Sequence, residues 1–194
     1  MPLTTSTPAT VGAHLASSLL APTTLAITVP VLIGWQTDGA VGAAWGLVPA
    51  TFVGLLPSLH ARRLARQPQP GSSGKSPAQV LTALASLLTG LAIVLTGRAP
   101  ASVLTATVAY LAVLIAIMPI TVRWDISIHA ATAASSATLL ASILQPALPL
   151  LVLLALSVGV SAWSRVRLNC HTWSQVLAGA VAGATASGVV CIFL

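Results

Sequence analysis

The stretch SRVRLNCHTWSQVLAGAVAGA, residues 164–184, joins a polar, charged cluster to an apolar run of small residues. Its first twelve residues hold two arginines, a histidine, a tryptophan and a glutamine, and no charged residue follows up to residue 194. A run of this length and composition predicts a membrane-spanning helix that begins at a polar membrane surface. The polar cluster is therefore either an interfacial anchor or part of a functional site.

The composition of the whole chain sets its class. Of the 194 residues, 56% are hydrophobic and only 5% are charged, whereas soluble domains carry about 25% charged residues. Too few charged side chains are present to cover a water-facing surface. We expect an all-α, polytopic transmembrane helical bundle. The net charge of +6 then orients helices in the membrane, and no nucleic-acid partner is expected.

Apolar windows long enough to cross a bilayer divide the chain into about six to seven spans. Since no segment between them could form a core of its own, we treat residues 1–194 as one integral membrane domain. The candidate spans are 11–34, with kinks at two prolines, then 40–60, 78–97, 102–122, 127–145, 147–163 and 171–194.

Simple alternation of these spans places the loops 61–77, 123–126 and 164–170 on one membrane face. That face also carries three of the four histidines: His60, His129 and His171. The repeated apolar spans predict a multi-pass protein of the cell membrane. The excess of positive charge on this face predicts that the face lies in the cytoplasm. Seven of the eight cations lie there, and only Arg98 lies opposite; the seven are Arg62, Arg63, Arg66, Lys75, Arg123, Arg165 and Arg167.

Arginines and histidines with almost no carboxylates suit a phosphate ester. Guanidinium groups match phosphate oxygens, and histidine can attack phosphorus or protonate a leaving oxygen near neutral pH. The only acids are Asp38 and Asp125, which the predicted topology puts on opposite faces. A carboxylate-bridged magnesium site is hard to build from them. We therefore expect metal-free chemistry without a cofactor.

The spacing in the quoted stretch resembles a known signature. Ser164-Arg165, five residues, His171, three residues and Gln175 resemble the third motif of the type 2 phosphatidic acid phosphatase (PAP2) superfamily, in which Asp is usual at the last position. The string HTWSQV is similar to the corresponding stretch of dolichyl diphosphatases, which also carry Gln. This motif provides most of the specificity of the resemblance.

Two weaker matches extend the resemblance over residues 60–184. Ser127 and His129 in ISIH match the Ser and His of the second motif, Pro-Ser-x-His, but the proline is missing. Arg62, six residues and Gln69-Pro70 are a degenerate counterpart of the first motif, Lys, six residues, Arg-Pro.

The resemblance implies a role for each matched residue. His171 would be the nucleophile that forms a phosphohistidine, and His129 would protonate the leaving lipid oxygen. Gln175, four residues after His171 and on the same helical face, would accept the Nδ1 proton of that histidine. The phosphate oxygens would be held by Arg165, Arg62 and Ser127. Arg123, on the same predicted face, is a further candidate for binding phosphate.

These roles predict a phosphatase acting on a lipid phosphate or diphosphate, with the polyprenyl class suggested by the likeness to dolichyl diphosphatases. Two alternatives remain open. One alternative to the phosphatase is an eroded PAP2-like protein that binds lipid without turnover. The other is an enzyme that ionises a prenyl diphosphate. The absence of an Asp-rich, magnesium-binding motif in the sequence argues against the second alternative.

Two further features leave their roles open. Asp125 either pairs with Arg123 or Arg62, or raises the pKa of His129. Gly179 and Gly183 form a GxxxG pair, which predicts close helix packing within the bundle or between two copies in a homo-oligomer through helix 171–194.

Overall fold

The computed structural model describes residues 8–65, 77–121 and 123–194, and within these ranges the chain is helical with no strand. The predicted all-α class is confirmed. A π-helical segment, Ala50–Leu55, joins the second helix to the third. The α-helices are α1 Pro8–Leu19, α2 Pro22–Pro49, α3 Leu56–Ala65, α4 Pro77–Thr96, α5 Ala101–Thr121, α6 Ile128–Leu144, α7 Leu148–Arg167 and α8 Trp173–Phe193.

Four stretches of the described chain are long and apolar enough to cross a membrane. Two further apolar helices, 81–96 and 128–144, are shorter. The chain is accordingly a membrane protein built from several apolar helices. Among the described residues, the stretches long and apolar enough to cross a bilayer are 22–60, 101–121, 148–167 and 173–193.

The stretch 22–60 is not one straight rod, because α2 reverses at Asp38 and Gly39. Both residues have non-helical backbone angles, and Gly39 has a φ of 60°, which glycine tolerates without a Cβ clash. Beyond the turn the two arms run antiparallel, with the backbones of Gly34 and Gly42 in direct contact. This reversal agrees with the predicted division between spans 11–34 and 40–60.

The prediction of a single helix over 11–34 is wrong. Helix α1 ends at Leu19, and α2 starts afresh at Pro22. Proline lacks an N–H and favours an extended preceding residue, and Ala21 has the extended angles φ −63° and ψ 145°. Proline therefore begins a new helix here, where a kink within one helix was expected.

Helix α6 is the centre of the bundle. Alanine and serine fill most of its buried positions, and such small side chains let neighbouring helices approach closely. Two hydrogen bonds link it to its neighbours: Ser135 to Ser187 on α8 at 2.6 Å, and Ser136 to Tyr110 on α5 at 3.0 Å. These two bonds satisfy buried hydroxyls across the interfaces of α6 with α8 and α5.

The GxxxG pair lies in the contact between α8 and α6. The carbonyl oxygen of Ser127 sits against Gly179, and that of Ala131 sits against Gly183. This glycine face is therefore used inside the chain. A homo-oligomer through α8 stays a prediction, and it would have to use the outer face of the helix, where Leu177, Val181 and Ile192 are exposed.

Substituting Gly183 by alanine tests this contact. Its Cβ would collide with the Ala131 carbonyl, so we expect Gly183→Ala to lower the thermal unfolding temperature in detergent, at a cost of about 1–3 kcal/mol. Gly188→Ala is the control on the same helix, because its Cβ would meet only Thr138 Cγ2 at 3.9 Å. Equal unfolding temperatures for the two variants would contradict the packing described here.

Candidate active site

The end of α7 is shaped by a Schellman turn. Asn169 adopts the left-handed conformation, with φ 53°. The N–H of Cys170 donates to the Arg165 carbonyl at 3.0 Å, and the N–H of Asn169 donates to the Val166 carbonyl at 3.0 Å. These are the two bonds of the Schellman motif. The next N–H, that of His171, also donates to the Arg165 carbonyl, at 3.3 Å.

The start of α8 is fixed by a capping box. The Thr172 hydroxyl accepts from the Gln175 N–H at 3.4 Å, and the Gln175 side-chain oxygen accepts from the Thr172 N–H at 2.8 Å. This reciprocal pair satisfies two N–H groups that a helix start leaves open. The Arg-x5-His-x3-Gln spacing thus corresponds to the end of one helix, a turn and the start of the next helix. Together these hold the backbone of His171 against that of Arg165.

A second segment packs along the first turn of α8. The Ser127 N–H donates to the Gln175 carbonyl at 3.2 Å, and the Ser127 hydroxyl caps α6 by accepting from the Ala130 N–H at 3.3 Å. Ile126 and Ser127 are both buried. The capped helix then carries the half-buried His129 in its first turn.

An apolar cluster brings the three helix ends together. Ala130 of α6, Ala162 of α7 and Val176 of α8 pack against one another. His129 precedes the first of these in the chain and Gln175 precedes the last, while Arg165 lies three residues after Ala162. The second and third motifs therefore meet at one end of the bundle, which we call the site end.

Two buried nitrogen atoms at the site end have no hydrogen-bond partner among the described residues. Arg165 is half-buried, and its Nη1 donates to Ser17 of α1 at 3.1 Å. Its Nε and the Nδ1 of His171 are buried, and neither has a hydrogen-bond partner in the described protein. Buried polar atoms are nearly always paired, so an unpaired guanidinium N–H beside a histidine suits an incoming anion.

Burial lowers the pKa of His171 below its usual 6.5, and the charge of Arg165 lowers that pKa further. The Asp125 carboxylate, the Asp125 backbone carbonyl and the Gln175 side chain act in the opposite direction. The net shift favours the neutral imidazole near pH 7, which is the form that can attack phosphorus.

The structure gives Gln175 a different hydrogen bond from the one expected. Its side-chain oxygen accepts from the Thr172 N–H at 2.8 Å, and the same side chain raises the pKa of His171. Nδ1 of His171 makes no hydrogen bond within the described residues, so acceptance of its proton by Gln175 stays a prediction. The sequence Thr-x-x-Gln is itself a capping-box signal, which the phosphatase resemblance obscured. Ser127 also differs, because it is completely buried and its hydroxyl caps α6. Its contact with phosphate remains a prediction.

The other two arginines predicted to bind phosphate have no described interaction with His171. Arg123 is exposed in the turn after α5, and Arg62 is exposed in the last turn of α3. The residues that shift the pKa of His171 are Asp125, Arg165 and Gln175, and neither Arg62 nor Arg123 is among them. The motif partners Gln69 and Pro70 and the cations Arg66 and Lys75 lie outside the described residues.

Two contacts at the site end were not predicted from the sequence. Ser17 contacts Arg165 from a distance of 148 residues along the chain, and nothing in its local sequence marks it. Asp125 was assigned to nearby arginines or to His129, yet its charge acts on His171. The bond from Ser127 to Gln175 brings the segment that contains Asp125 against α8.

A comparison with family models matches residues 123–194 to the PAP2 superfamily. The predicted resemblance is confirmed over this segment, which carries the second and third motifs. The match does not reach Arg62, and the likeness to dolichyl diphosphatases is not confirmed by it. Searches of the curated proteins and of the solved structures give no match.

Replacing Asp125 by asparagine tests the electrostatics of the site. Activity that needs neutral His171 is lost as the pH falls through its pKa, so the acid limb of kcat/KM for phosphate release should lie below pH 6.5. Asp125→Asn removes a carboxylate that raises this pKa and should move the limb to lower pH. Asp38→Asn, at the other carboxylate, should leave it in place. A limb that stays fixed or rises in Asp125→Asn would refute the assignment.

Proposed function

We propose that this chain, which matches the PAP2 superfamily over residues 123–194, hydrolyses a phosphate or diphosphate monoester of a membrane lipid. Members of the superfamily are generally phosphatases. One observation carries the proposal: at the site end, a histidine whose lowered pKa favours its neutral form, His171, lies near Arg165, whose buried Nε has no hydrogen-bond partner among the described residues. Polyprenyl chains are our preferred lipid class.

The reaction would use two steps. With Nδ1 buried, Nε2 of His171 would attack phosphorus while the bond from phosphorus to the lipid oxygen breaks and His129 gives that oxygen a proton. Water would then attack the phosphohistidine, with His129 taking a proton from it. The phosphorus–nitrogen bond breaks, phosphate leaves, and neutral His171 is restored.

Arg165 would stabilise the charge that develops on the phosphoryl oxygens. Its Nε is held in a half-buried position, with Nη1 already bonded to Ser17. A donor fixed in advance in a partly water-excluded site contributes more than the same donor in water. Arg62 and Arg123, both exposed, would complete the phosphate site only when substrate is bound.

An apolar cavity beside α6 supports a lipid substrate. It has a volume of about 370 Å³, and its wall includes Ile128 and Thr132, which flank His129 on that helix. Along α5 it extends from Thr121 to Tyr110, a distance of roughly 16 Å at the helical rise. A lipid chain could enter it while the phosphate stays at the site end.

The excess of positive charge supports a cytoplasmic site end in the cell membrane. Because the proposed phosphate ligands Arg62, Arg123 and Arg165 are placed for chemistry, they are best left out of the count. Four cations still remain on this face, against Arg98 on the other, which favours the cytoplasmic orientation.

A second function is favoured by one observation. Gln175 is uncharged, and Nδ1 of His171 makes no hydrogen bond within the described residues, so no anionic side chain is bonded directly to the imidazolium form of His171. An eroded site of this kind would bind lipid phosphates without hydrolysing them. Binding of phosphatidic acid or a polyprenyl phosphate with no phosphate release would favour this function over the phosphatase.

The direct test is phosphate release by the purified chain in detergent with a chelator present. We expect release from a polyprenyl diphosphate or from phosphatidic acid, and a loss of about three orders of magnitude or more in His171→Ala, since the nucleophile is removed. His14→Ala, at an exposed histidine of α1, should retain activity. Unchanged activity in His171→Ala would disprove the mechanism.

The cavity is tested by filling it from α4. Ala83 lines the cavity, whereas Ala92 of the same helix is exposed. We expect Ala83→Phe to reduce kcat/KM for long-chain lipid phosphates by about tenfold or more, because lost chain burial costs about 0.8 kcal/mol per methylene. Short-chain phosphates should be hydrolysed normally, and Ala92→Phe should resemble the native chain. Equal losses for both chain lengths would show that the cavity does not hold the chain.

A further inference from the structure

A second depression lies between α4 on one side and α3 with the preceding π-helical segment on the other. Its volume is about 420 Å³. His60 also borders the cavity described above, but the other lining residues differ. We call this depression the α3–α4 groove. Its lining residues are Phe52, Leu56, Leu59, His60, Arg63, Thr82, Ala85, Ser86 and Thr89.

Two hydroxyl groups that line the groove are hydrogen-bonded within the protein, so this part of the wall offers a ligand mainly apolar surface. The Ser86 hydroxyl donates to the Phe52 carbonyl at 2.6 Å, and the Thr89 hydroxyl donates to the Ala85 carbonyl at 2.9 Å. Their polar atoms are therefore satisfied within the protein. Leu56 and Leu59 remain more than two-fifths exposed, so this wall suits a hydrocarbon chain.

One end of the groove is polar and positively charged. Arg63 lies in the last turn of α3, and His60, one turn earlier, has its Nε2 at 3.4 Å from the Thr82 hydroxyl. Neither α3 nor α4 contains an acidic residue. The charge of Arg63 therefore has no carboxylate on either wall of the groove.

We propose that the α3–α4 groove binds one anionic phospholipid of the surrounding membrane, with its phosphate at Arg63 and His60 and one chain along Leu56 and Leu59. A guanidinium at the membrane surface attracts a lipid phosphate, and the apolar wall selects a lipid over free phosphate. A phosphodiester headgroup is not a phosphate monoester, so this ligand is distinct from the proposed substrate.

The proposal is tested by lipid retention, which does not depend on catalysis. The full chain would be reconstituted in nanodiscs of mixed phosphatidylglycerol and phosphatidylcholine and then extracted, and the retained lipids would be measured by native mass spectrometry. We expect one retained phosphatidylglycerol and a loss of about fivefold in its preference over phosphatidylcholine in Arg63→Gln. Arg98→Gln removes an exposed arginine from the opposite face and should retain the preference.

A second pair of variants tests the apolar wall. Ala85 lines the groove and is exposed, and Ala92 is exposed on the same helix outside it. Ala85→Trp should displace the lipid, and Ala92→Trp should not.

Two results would overturn the proposal. One is equal retention in Arg63→Gln and Arg98→Gln. The other is loss of the lipid in His171→Ala while both groove variants keep it, which would place the lipid at the site end. Because retention is read without turnover, a chain that hydrolyses nothing but retains the lipid would contradict the proposed function alone.

Discussion

The close contact between α6 and α8 is the constraint on which the site depends. Gly179 and Gly183 place no side chain at two points of this interface, and the carbonyl oxygens of Ser127 and Ala131 fill the space there. This approach lets the Ser127 N–H reach the Gln175 carbonyl. With any larger residue at these glycines, the first turn of α6 and the turn before α8 would separate. His129 and His171 are thus placed by backbone packing.

The electrostatics of the site follow from a shortage of acids. The sequence holds two acidic residues, Asp125 and Asp38. Asp38 accepts a hydrogen bond from the Ser102 hydroxyl, at the end of α5 away from the site end. His171 is therefore influenced by one carboxylate and by the neighbouring Arg165. Burial is the largest effect and lowers the pKa of His171, which favours the neutral ring that the proposed nucleophile requires. The unpaired Nε of Arg165 is left for an anionic group.

Composition and motif spacing were sufficient to predict the all-α membrane fold and the PAP2 resemblance over residues 123–194. They could not predict contacts that depend on tertiary packing. Ser17 reaches Arg165 only because α1 separates from α2 at Pro22 and packs on α7. The bond from Gln175 to Thr172 was readable as a helix cap, but the same glutamine also fits a catalytic motif. Spacing alone does not distinguish these two uses.

The central claim is that His171 carries the phosphoryl group during turnover. Mixing the purified chain with a lipid phosphate labelled at phosphorus, and quenching in alkali within milliseconds to seconds, would trap that species. We predict an acid-labile, alkali-stable label on the peptide that contains His171, which is discharged when unlabelled substrate is added. Phosphate release with no label on the protein at any time, or a label that persists in His171→Ala, would contradict the account.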